Sequence, residues 1–128
     1  MRLLLDTHAF IWFVEDSPLL SADAKSSIGD PGSEVFLSIA SVWEMAIKVS
    51  LNKLRFSQPF DLFLPHQLRI NDIATLNVTL EHAMAVSKLP LHHRDPFDRM
   101  IIAQSLTEGI VVVSVDAAFD RYGVTRLW

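Results

Sequence analysis

The sequence has no cysteine, which excludes disulfides and thiolate metal sites. It has no apolar run near the roughly 20 residues that span a membrane. Its N-terminus carries one Arg and a short apolar stretch broken at Asp6, unlike a secretory signal. The expectation is a cytoplasmic protein without a membrane segment. Positive charge is also scarce: 11 Lys and Arg stand against 15 Asp and Glu, for a net charge of −4. Proteins that coat nucleic acid through a broad field carry a basic excess, and this composition argues against that class. It does not exclude an enzyme whose acids hold cations, because a bound ion reverses the local sign. No repeat, low-complexity tract or linker divides the chain. Its 128 residues suit one domain over 1–128.

Half of the residues are hydrophobic, and the mean hydropathy is +0.28. That fills a core and leaves a surplus for a subunit or partner interface. Residues 29–33 (GDPGS) form a turn cluster. Strands are expected at Arg2–Leu5, Glu34–Leu37, Ile73–Leu76, Ile110–Val115 and Val124–Leu127. Helices are expected at His8–Val14, Ala22–Ile28, Val42–Leu51, Phe60–Leu68, Leu80–Lys88, Pro96–Thr107 and Ala117–Arg121. Strands that alternate with helices, the first of them apolar on both faces, imply an α/β domain with a mostly parallel sheet.

Four acids stand at comparable places. Asp6 closes the first strand and could cap the helix that follows. Glu44 lies in SIASVWEMAIKV, where Ser41-Val-Trp-Glu44 has capping-box spacing and Lys48 is one turn on. Asp95-Pro96 reads as N-cap and N1, with Asp98 at N3. Capping explains Asp95 better than Asp98, which shares a helix face with Ile102 and Ser105. Asp116 follows IVVVSV and could also be a cap. In an open α/β sheet all four places lie outside the carboxyl ends of the strands, where ligands bind. Acids gathered there repel: two charges about 6 Å apart interact by roughly 3 kcal/mol at an effective dielectric of 20. Such pairs raise pKa values, and a divalent cation relieves them. Oxygen ligation without Cys or a His-x-x-x-His pair points to Mg²⁺ or Mn²⁺, with substrate phosphate completing the shell.

The segments LLLDTH, SVWEMAIK, DPFDRMIIAQS and VVVSVDAAF, in this order along the whole chain, resemble the PIN-domain ribonucleases, and among them the VapC-type toxins. The resemblance implies a three-layer, Rossmann-like PIN fold, with a central sheet of four to five strands flanked by helices. It implies a metal-dependent endoribonuclease, a homodimer, and a cognate VapB-type antitoxin that blocks the site. The family's four acids fall on Asp6, Glu44, Asp98 and Asp116, and Asp95 is left as a helix cap or outer partner. Ser114 stands where the family often has Thr, and Val115 where many relatives have a polar residue. On this reading Asp6 and Asp98 hold the main ion, and Glu44 and Asp116 complete the pocket. Water activated by the metal then attacks the RNA phosphorus in line. Thr7 and Ser114 are placed to bond waters or phosphate.

Weaker candidates flank these acids. Lys88, His92, His93, Arg94 and Arg99 could contact RNA phosphates, or form a solvated loop in which Arg99 pairs an acid. Trp12, Phe13 and Trp43 suit core packing or a partner groove, as do Phe60, Phe63 and Leu64. Competing phosphatase and receiver classes require further acids near the first strand that Asp6-Thr7-His8 does not provide. The non-catalytic alternative is an α/β interaction protein whose acids are helix caps only.

Overall fold

Leu3, Leu4 and Leu5 are all fully buried, which a strand achieves only when both faces of its sheet are covered. The computed structural model describes residues Met1–Trp128 and shows how. Five strands, β1 (Arg2–Leu5), β2 (Glu34–Ser38), β3 (Ile73–Leu76), β4 (Val111–Val113) and β5 (Arg126–Leu127), form one sheet in the order β3-β2-β1-β4-β5. All neighbours are parallel, and Leu4 pairs with Phe36 on one side and Val112 on the other. Six α-helices complete the chain: α1 (Thr7–Val14), α2 (Ala22–Gly29), α3 (Ile39–Ser50), α4 (Phe60–Ile70), α5 (Leu80–Val86) and α6 (Pro96–Glu108). Alternation sends Leu3 and Leu5 to one face, against Phe10, Ala24, Met45 and Leu64. Leu4 points to the other, against Ile101, Ile102 and Phe119. These are the three layers of an α/β fold, as expected.

Local chemistry moves several boundaries. Helix α3 begins at Ile39, because the Ser38 side chain accepts from the Ala40 N–H and caps it directly after β2. Ser41 is therefore inside the helix and forms no capping box with Glu44; its buried hydroxyl has no partner. Glu44 lies in the second turn. Strand β4 is shorter than IVVVSV suggested. Gly109 ends α6 in the left-handed conformation at φ 65°. The Ile110 backbone is then satisfied by Ser105, through its carbonyl at 3.2 Å and its hydroxyl at 2.6 Å, and not by the sheet. Residues 117–122 form a 3-10 turn, and β5 has only two residues.

The topology fixes where a ligand can enter. The chain runs outward from β1 to β2 and β3, then returns to place β4 on the other side of β1. The segments leaving β1 and β4 diverge, and such a switch point opens a crevice at the carboxyl edge of the sheet. Asp6 is the first residue past β1, and Asp116 lies just beyond β4.

Candidate metal centre

Each acid owes its place to a local rule. Asp6 caps α1: its Oδ1 accepts from the Ala9 N–H at 2.8 Å. Asp95 caps α6 through the Phe97 and Asp98 amides at 2.8 and 3.0 Å, and Pro96 occupies the first helical position, where no amide is missed. Asp98 is free of capping duty. Asp116 caps the 3-10 turn through the Ala118 N–H at 2.9 Å. Glu44 is buried at its α3 position and spends both oxygens: Thr7 Oγ1 donates to Oε1, and Lys48 Nζ lies against Oε2, each at 2.7 Å.

These groups feel one another. Burial raises the Asp98 pKa to about 7; Asp95 adds to the rise, His93 opposes it, and Asp6 and Glu44 push it further up. Burial likewise raises the Asp6 pKa; the Ser114 hydroxyl, the Ala9 amide and His8 oppose this, while Asp116 reinforces it. Four acids from remote parts of the chain thus share one electrostatic neighbourhood. The closest grouping is Asp98, Asp116 and His93, whose donor atoms all lie within 4.8 Å of one another. His93 Nε2 is 3.0 Å from Asp98 Oδ2 and 3.1 Å from Asp116 Oδ2. A carboxylate-rich set with so few local cations fits a divalent ion such as Mg²⁺ or Mn²⁺.

The remaining candidates are placed as follows. Thr7 is buried, and its hydroxyl is committed to Glu44. Ser114 is buried beside Asp6, and its Oγ accepts from the Asp116 N–H. Arg99 is half-buried and pairs with no acid. Its guanidinium gathers the carbonyls of Val86, Leu89, Pro90 and His93 at 3.0–3.4 Å and meets the Tyr122 hydroxyl. Tyr122 Oη in turn accepts from the His92 and His93 amides at 2.9 and 2.7 Å. Lys88 is exposed. Asp120 binds Arg126 through both oxygens. Trp43 is 64% exposed, packs edge-on against Phe97, and lines an apolar groove of about 800 Å³ with Ile39, Val86 and Met100. Trp12 packs against the core and the Trp128 ring.

Sequence reasoning offered His93 as a phosphate contact or as part of a solvated loop. It missed that the loop before α6 folds this imidazole back onto two acids, and that Tyr122 and Arg99 hold the loop. The adjoining HHRDP run was the one available signal.

The model of the PIN domain family matches residues 3–124. A search of curated proteins finds no match. Among solved structures, the chain is similar to VapBC2 from Rickettsia felis bound to a DNA fragment from their promoter. The TM-score is 0.75 at 12% identity, covering 99% of this chain and 98% of that one. It is also similar to DNA-bound VapBC from Salmonella typhimurium, with TM-score 0.70, 16% identity and coverage of 99% and 97%. FitAcB from Neisseria gonorrhoeae gives 0.62 and 16%, with 98% and 96% covered.

Proposed function

The chain belongs to the PIN domain family, and from that premise we propose that it is a metal-dependent endoribonuclease, the VapC-type toxin of a toxin–antitoxin pair. The observation that carries the reading is the convergence of Asp6, Glu44, Asp98 and Asp116 at the switch point of the sheet, with Asp98 held near neutrality by burial and its acidic neighbours. Helix caps alone do not require such convergence. Asp98 and Asp116 present the most exposed oxygens and would hold the ion directly, with Asp6 and Glu44 completing its surroundings. The bound ion supplies positive charge that acidifies water and offsets charge developing on a phosphodiester. Asp95 and the α6 N-terminus fix the direction in which Asp98 points. Thr7 and Lys48 hold the Glu44 carboxylate in place.

The structural neighbours named VapBC and FitAcB support a cognate VapB-type antitoxin as partner. The groove beside Trp43 and Phe97 provides apolar surface for an antitoxin or for the second subunit of a homodimer. No helix is long and apolar enough to cross a membrane. The test is cleavage of total cellular RNA with mapped ends, in Mg²⁺, in Mn²⁺ and in chelator, for wild type and Asp98→Asn. Metal-dependent cleavage lost in the variant supports the reading. Equal cleavage by both, or none by wild type, contradicts it.

A further inference from the structure

The Asp95 N–H points at His93 Nδ1, at 3.2 Å. A nitrogen that accepts a hydrogen bond bears no proton, so the proton of this ring lies on Nε2. That N–H is hydrogen-bonded to Asp116 Oδ2 at 3.1 Å, and Nε2 also lies 3.0 Å from Asp98 Oδ2. A histidine that binds a metal through Nε2 needs the opposite arrangement, with a proton on Nδ1 and an acceptor beside it. The backbone here offers Nδ1 a donor.

Resting on the metal-centre reading above, we propose that His93 is no metal ligand but a competitor for the site: its Nε2–H stands between Asp98 and Asp116 and yields to the cation. It is a positioning residue that sets metal affinity. The fold holds it there deliberately tight. Tyr122 Oη accepts from the His93 amide at 2.7 Å, the ring packs edge-on to Phe119, and Arg99 binds the His93 carbonyl and those of three preceding residues. A cation that engages both carboxylates must first displace this N–H, breaking its hydrogen bond to the Asp116 carboxylate, and hydrogen bonds to charged groups are among the stronger ones in proteins.

The experiment is calorimetric titration of Mn²⁺ and Mg²⁺ into the full-length wild type, His93→Ala, Tyr122→Phe and Asp98→Asn, together with pulsed electron paramagnetic resonance of bound Mn²⁺. His93→Ala is expected to bind Mn²⁺ about tenfold more tightly than wild type, the equivalent of one charged hydrogen bond. Tyr122→Phe, which keeps the ring and loosens the loop, is expected to shift affinity the same way by a smaller factor; it serves if His93→Ala does not fold. Wild-type Mn²⁺ is expected to show no imidazole nitrogen coupling. Unchanged or weaker binding in the His93 and Tyr122 variants, or nitrogen coupling that His93→Ala abolishes, overturns the proposal. If wild type binds but His93→Ala matches it, this proposal alone fails. If wild type binds no ion, the metal-centre reading fails with it.

Discussion

His82, on α5, and His93, in the loop before α6, each turn Nδ1 toward a backbone N–H and Nε2 toward a carboxylate. For His82 the donor is Thr79 N at 3.1 Å and the acid is Glu108 at 2.7 Å. For His93 the donor is Asp95 N and the acids are Asp98 and Asp116. The ring geometry is shared, but the surroundings are not. His82 is fully buried and meets one acid, and it completes a reciprocal cap with Thr79. His93 meets two acids, and Asp6, Glu44 and Asp95 also act on Asp98. One imidazole suffices where the acids number one. Where several converge, a surplus of negative charge remains, and a cation has a reason to bind. The α5 site therefore joins two helices, and the α6 site holds more acids than its one imidazole can pair.

The largest expected effect is on Asp98. Asp98→Asn should reduce metal-dependent RNA cleavage more than about a hundredfold, beyond the cost of losing an outer partner of a metal ligand. Circular dichroism should show the fold intact, since Asp95 and not Asp98 caps α6. His82→Ala should do the reverse. It removes a buried ring and a cap and should cost about 3 kcal/mol in denaturant unfolding, with no change in metal affinity per folded molecule.

Proton linkage sharpens the contrast. Asp98 has a folded pKa of about 7 against 3.8 for a free side chain. Between these values the folded state binds more protons than the unfolded state, so its contribution to stability falls as pH rises from about 4 to about 7 and then levels. In chelator, Tm should decline over that window, less so in Asp98→Asn. Added Mg²⁺ or Mn²⁺ should raise Tm more at pH 8 than at pH 6, because the ion requires the ionised carboxylate. The smallest effect is expected at Thr7→Val. It removes one hydrogen bond to the buried Glu44 carboxylate and should cost about 1–2 kcal/mol, read by urea unfolding.

Much of this was legible in the chain. The leucines of β1 announced a sheet covered on both faces, and Asp95-Pro96 and Gly109 marked the ends of α6, because these signals are local and chemically specific. The recurrence of acids after strands and at helix starts pointed to the carboxyl edge, and the topology puts them there. The start of α3 was not legible, since Ser41-Val-Trp-Glu44 has the spacing of a capping box and only the end of β2 at Ser38 puts the cap there. Arg99 read as a phosphate contact or as the partner of a nearby acid in a solvated loop, because its actual partners are main-chain carbonyls that no side-chain pattern encodes. His93 was misplaced for the same reason: its position depends on a loop tied by Tyr122, 29 residues away. What the sequence could not carry were contacts made by backbone in an irregular segment.

The most direct test is calorimetric titration of Mg²⁺ and Mn²⁺ into wild type and Asp98→Asn at pH 8. The account requires saturable binding to wild type that the substitution weakens by at least about tenfold. Equal heats from the two proteins, or none from wild type, would show that the clustered acids share no ion.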